Sequence, residues 1–176
     1  MVDTKKITVL GIDPGTANTA LVIVQDGAIR AAVNIRTKPS ELRDFADLVR
    51  RSKEVGSSIT TLASDTPAGS VTVAVMESYK DFGGGHKRGV KNRHMTSHTM
   101  AYIQQALDDV GIPVIYQDPD VMKKAYKAYL DAWNSGTFGL VQGDEMLTNA
   151  HRRDAAVHAL YYLDSVDELH MTTGEA

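Results

Sequence analysis

The sequence predicts an α/β fold, a five-stranded mixed sheet with helices on both faces. Three observations predict it. Three β-rich runs follow one another between residues 7 and 36 with only turn-formers between them. After Pro39 the apolar period changes from two to about 3.6. From there two further strand-like runs are interleaved with helical ones, and two helical runs close the series. The 176 residues suit one domain, placed over residues 1–163. Residues 164–176 form an acidic tail with no Lys or Arg that is expected to fray.

Residues 7–12 read as a short buried strand, closed by Asp13-Pro14-Gly15. Residues 19–24 are a second β-rich run, and Gln25-Asp26-Gly27 ends it as a hairpin-type turn. Residues 28–36 complete an antiparallel meander. Beyond the N-cap candidate Ser40, Leu42, Phe45, Leu48 and Val49 fit a helix to about Val55. Residues 56–70, rich in Ser, Thr and Gly, read as a loop. Residues 71–76 form a dense apolar strand ending at Glu77, as suits a central strand covered on both faces. A polar, glycine-rich stretch covers residues 78–93, a helix about 95–110, a strand 112–116 and a helix about 119–133. Residues 134–148 read as irregular, and Asn149 caps a last helix to Leu163.

Composition excludes several classes. Apolar residues are 43% and charged residues 23%, enough for an ordinary core and unlike a disordered chain. The absence of cysteine removes disulfide scaffolds, thiol catalysis and cysteine-ligated zinc. With 19 Lys and Arg against 22 Asp and Glu the net charge is −3, which argues against an overall basic coat but not against a local basic patch. Apolar runs are too short to span a bilayer, and no signal-type segment opens the chain, so the expected compartment is the cytoplasm.

In such sheets sites gather at the carboxyl ends of central strands. The first and fourth strands end in Asp13 and Glu77, so two carboxylates converge if those strands are neighbours. Asp13 also reads as an ordinary Asp-Pro-Gly turn residue, and Glu77 as a solvated strand end. On the last helix His151 and Asp154 lie one turn apart on one face, with His158 a further turn on. Ala156, Ala159, Leu160 and Leu163 lie on another face and pack on the sheet. Three carboxylates and one imidazole repel one another unless cations neutralise them, and that donor set suits Mg²⁺ or Mn²⁺ better than zinc. Two such ions about 4 Å apart suit phosphodiester hydrolysis.

Gly11-Ile12-Asp13-Pro14-Gly15 opening a meander, Met76-Glu77 ending the fourth strand and His151-x-x-Asp154-Ala155 on the last helix resemble the RuvC family. These are Holliday-junction resolvases of the RNase H-like superfamily, and the resemblance spans about residues 7–163. It implies a homodimer that cuts four-way DNA junctions with two divalent ions, leaving a 5′-phosphate. It implies metal ligation by Asp13, Glu77, His151 and Asp154. Lys123, four residues after Pro119, matches a lysine placed near the scissile phosphate. The segment after Glu77 departs from the bacterial pattern, as does residues 134–148, and both resemble phage-type members. Either Tyr79 or Phe82 is then the aromatic that opens the junction.

Between residues 78 and 98 lie Lys80, Lys87, Arg88, Lys91 and Arg93 against one Asp, with glycines at 83, 84, 85 and 89. A mobile basic loop beside a metal site suits phosphate contacts, though such a run also reads as a solvated loop. Lys123, Lys124 and Lys127 add a second cluster. The helix over 95–110 carries two apolar stripes, one for the sheet and one for core or a two-fold interface. Residues 11–16 also resemble the first phosphate motif of the actin-like and chaperone ATPases, which need a longer chain. A less selective nuclease of the same superfamily, acting on RNA or single strands, is a further alternative.

Overall fold

The computed structural model describes residues 7–15, 17–25, 28–36, 45–64, 71–78, 90–134 and 149–166. The elements are β1 (Thr8–Pro14), β2 (Asn18–Gln25), β3 (Ala28–Arg36), α1 (Phe45–Ser64), β4 (Val73–Glu77), α2 (Val90–Asp109), β5 (Val114–Gln117), α3 (Pro119–Asn134) and α4 (Ala150–Ser165). The sheet runs β3-β2-β1-β4-β5. β1, β2 and β3 pair antiparallel, whereas β4 lies parallel to β1 and β5 parallel to β4. This is the mixed five-stranded sheet that the sequence predicts.

Side-chain alternation builds two cores from one sheet. Val9, Val22, Val24, Val73 and Val75 face Met122 and Tyr129 of α3 and Ala156, Ala159, Leu160 and Leu163 of α4. Leu10, Ile12, Leu21, Ile23, Ala74 and Met76 face Val55 and Ile59 of α1 and Met100, Ile103 and Leu107 of α2. Both faces of β1 and β4 are therefore apolar, as strands covered on both sides require.

Two expectations are corrected. The loop placed over residues 56–70 is helical as far as Ser64, because α1 continues through it. Ser58, Thr60 and Thr61 donate to the carbonyls of Glu54, Gly56 and Ser57 at 3.0, 3.1 and 3.0 Å, so their hydroxyls bond within the helix. Val55 and Ile59, one turn apart, bury its inner face. A Cβ at Gly56 would stand 3.1 Å from the Cβ of Ala106, which shows how closely α1 passes α2. Likewise α2 starts at Val90, so the last four residues of the stretch expected to be loop, 90–93, are helical. Ala106 of α2 packs within this chain, partly buried against the core beside α1. Among the described residues no helix is long and apolar enough to cross a membrane.

Candidate metal centre

Strand register brings the first two carboxylates together. Gly11 pairs with Val75 and Ile12 with Met76, so Asp13 and Glu77 come next in line at the carboxyl edge of two parallel neighbours. Alternation turns both toward α4, since Val9 and Val75 of the same parity lie in the α4-side core. Asp13-Pro14-Gly15, expected to close the strand as a turn, does so only at its last residue. Asp13 and Pro14 are still strand, paired with Ala20 and Thr19. The connection to β2 begins at Gly15, whose carbonyl accepts from the Thr19 hydroxyl at 2.9 Å. The Asp13 carboxylate faces away from it and meets His151, its Oδ2 lying 2.6 Å from His151 Nδ1.

Helix α4 carries the other two residues. Asn149 is its N-cap, in extended conformation, and its Oδ1 accepts from the His151 backbone N–H at 2.9 Å. Gly11 is what lets the helix descend onto β1. A Cβ there would stand 1.9 Å from the carbonyl oxygen of Ala155, so only glycine allows the approach. One donor atom from each of Asp13, His151 and Asp154 lies within 4.8 Å of the others, a group able to hold a metal ion. Burial pushes the Asp13 carboxyl above its ordinary range. The hydrogen bond and charge of His151 oppose that rise, and the Asp154 charge adds to it.

Glu77 stands on the other flank, its side chain nearly half exposed. Burial raises its pKa first, then the Asp13 charge; Lys123 lowers it, and Asp154 and Asp118 raise it again. The pocket over these groups is lined by Asp13, Glu77, Pro119, Met122, Lys123, Tyr126, Asp154 and His158. Carboxylates crowded at one edge disfavour their own ionised forms, and a divalent cation would offset that repulsion. The oxygen-rich donor set with imidazole fits Mg²⁺ or Mn²⁺.

The structure thus brings together Asp13, Glu77, His151, Asp154 and Lys123. Lys91 and Arg93 lie in the first turn of α2 and Lys124 lies on α3. Tyr79, Lys80, Phe82, Lys87 and Arg88 lie outside the described residues. His158, grouped in the sequence with a polar face away from the sheet, is instead only 3% exposed. Its Nδ1 lies 2.5 Å from Gln117 Oε1, and Gln117 Nε2 donates to the His158 carbonyl at 3.0 Å. Burial lowers its pKa to about 4.

Sequence reasoning missed Gln117 and Tyr126. Gln117 ends β5 directly beside Glu77, and the signal was a third strand-terminal polar residue after Asp13 and Glu77. Tyr126 lies one turn beyond Lys123 on α3, and burial followed by a hydrogen bond to Asp154 raises its pKa.

With this sheet order, its layers and the carboxylates at its edge, the chain has the RNase H-like fold of the RuvC nucleases. Thermus thermophilus RuvC bound to a Holliday junction substrate superposes at a TM-score of 0.68 with 18% identity, covering 92% of this chain and 97% of that one. A second Thermus thermophilus RuvC structure gives 0.66 and 17%, over 92% of this chain and 98% of that one. The human cytomegalovirus terminase nuclease domain gives 0.56 and 14%, over 93% and 86%. At these identities the likeness is one of fold. No family model matches the sequence, and no curated protein matches it.

Proposed function

We propose that this chain is a metal-dependent, structure-selective DNA endonuclease that resolves four-way junctions and other branched DNA by phosphodiester hydrolysis. It acts as a homodimer in the cytoplasm of a bacterial or phage-infected cell, with one active site for each of two symmetric strands. The observation that carries the reading is the convergence of Asp13, His151 and Asp154 donors within 4.8 Å, with Asp13 and Asp154 also lining one pocket together with Glu77 and Lys123.

Asp13, Glu77, His151 and Asp154 would hold two Mg²⁺ or Mn²⁺ ions. Such ions activate water and offset charge on the departing oxygen. The residues themselves position and compensate. His151 fixes the orientation of the Asp13 carboxylate through their 2.6 Å contact. Lys123, exposed at the pocket rim with Nζ 4.0 Å from Asp120 Oδ1, has the reach to set its charge against a non-bridging phosphate oxygen. Water oxygen bonds to phosphorus as the bond to the 3′ oxygen breaks, leaving a 3′-hydroxyl and a 5′-phosphate. Lys80, Lys87, Arg88, Lys91, Arg93 and Lys124 would contact the backbone, and Tyr79 or Phe82 would open the junction.

The test is incubation of labelled four-way, three-way and linear duplexes with the protein in Mg²⁺. Symmetric paired nicks in the four-way substrate, weaker cutting of the three-way and an intact linear duplex are expected. Asp13→Asn should fold and bind junctions yet lose at least a hundredfold in rate, as removal of a metal ligand implies. Equal cutting of all three substrates would replace junction resolution with a general nuclease. Nicking undiminished in Asp13→Asn would remove that residue from the site.

A further inference from the structure

We propose that His158 is a fifth ligand of this metal centre, binding through Nε2 on the Glu77 side and biasing the site toward Mn²⁺ over Mg²⁺. The inference rests on the metal-dependent reading above and adds a residue and a selectivity to it.

The hydrogen-bond pattern determines which nitrogen is available. The His158 carbonyl can only accept, so Gln117 Nε2 must be the group facing it at 3.0 Å. Gln117 Oε1 is therefore the atom beside His158 Nδ1. An amide oxygen cannot donate, so Nδ1 carries the hydrogen and the Nε2 lone pair is left to bind elsewhere. That nitrogen lies 3.9 Å from Glu77 Oε2, beyond hydrogen-bond distance. Two adjacent donors on one ion at about 2.1 Å each stand roughly 3.0 to 3.4 Å apart, so the exposed Glu77 side chain would have to draw in by about 0.5 Å for both to share an ion.

Two further features agree. His158 is 97% buried yet lines the pocket that holds Asp13, Glu77 and Asp154. An imidazole whose far N–H is held by an amide oxygen is the arrangement that orients metal-ligating histidines. Packing alone would be served by an aliphatic side chain, as Ala155, Ala156, Val157, Ala159 and Leu160 around it show. With His151 the site then offers two imidazoles, which favour Mn²⁺ relative to the harder Mg²⁺.

The experiment is binding of Mn²⁺ alone, followed by spin resonance and by nitrogen modulation of the electron spin echo. Wild type should show two distinct imidazole couplings, both converted by incorporation of ¹⁵N-histidine, which needs no substitution. His158→Asn keeps a donor near the Nδ1 position for Gln117 and lacks the Nε2 position. It should lose one coupling and weaken Mn²⁺ tenfold or more, and Mg²⁺ less than threefold. His151→Asn should lose the other coupling. A single coupling in wild type that vanishes in His151→Asn overturns the proposal and leaves the metal-dependent reading standing. Weakened Mn²⁺ binding in His158→Asn with both couplings kept overturns it too, because His158 would then act through packing. Failure of the wild type to bind Mn²⁺ at all overturns both.

Discussion

Burial sets the charge of His158. The folded chain lowers its pKa from 6.5 to about 4, so between those values the unfolded chain binds the extra proton. Stability from this group is complete above about pH 6.5 and is lost as pH falls toward 4, a change on the order of 3 kcal/mol at 1.36 kcal/mol per pH unit. Asp13 and Glu77 act in the opposite sense. Their raised folded values make stability fall as pH rises above their ordinary 3.8 and 4.5. Urea unfolding of His158→Asn against wild type, without metal, isolates the histidine. The difference between the two proteins should change between pH 6.5 and 4 and stay flat above pH 7; a difference flat throughout would mean the imidazole is not held neutral. The same residue marks a limit of sequence reading. His151, Asp154 and His158 are legible as a helical stripe, but whether a stripe meets water or a sheet edge is a matter of packing. Gln117 stands at a strand end that the sequence marks, but that its amide turns inward to meet His158, 41 positions away, is again a matter of packing.

At the scale of elements, the contact between β1 and α4 decides whether the site exists. Gly11→Ala would drive a methyl group into the Ala155 carbonyl, 1.9 Å away, where the obstacle is backbone and cannot rotate aside. We expect a loss of about 3 kcal/mol or more in urea unfolding, together with weakened Mn²⁺ binding, because α4 carries His151 and Asp154. Asn149→Ala removes only a cap and should cost about 1 kcal/mol, or roughly 2–4 °C in Tm. If Gly11→Ala proved as mild as Asn149→Ala, the close approach would be wrong. Asn149 was legible because capping is local chemistry. The helical 56–64 stretch was not, because Ser, Thr and Gly suggest a loop wherever nothing reveals a neighbouring helix. Here Ala106 of α2 and the inward Val55 and Ile59 override that preference.

Over the whole molecule, carboxylates gathered at one sheet edge make the metal-free fold less stable than it would be with the edge neutralised. A cation that binds only the folded state stabilises it by mass action, about 2.7 kcal/mol at a hundred times its Kd. For a chain of this size that is a rise of roughly 5–10 °C in Tm, readable by calorimetry in Mn²⁺. Asp13→Asn should melt a few degrees higher than wild type without metal at pH 7, and lose most of the metal-induced rise. A wild-type Tm indifferent to millimolar Mn²⁺ and Mg²⁺ would contradict a metal centre here.

By itself the sequence determined the five strands, the four helices, the cap at Asn149 and the residue types suited to hold a cation. Those follow from alternation, helical period and turn chemistry, which act over a few residues. Only the tertiary structure decided which polar groups meet. Asp13 and His151 touch across 138 positions of chain, and Gln117 and His158 across 41. Their meeting depends on strand register and on a glycine-sized gap beneath a helix, which are properties of packed surfaces rather than of any local run of residues.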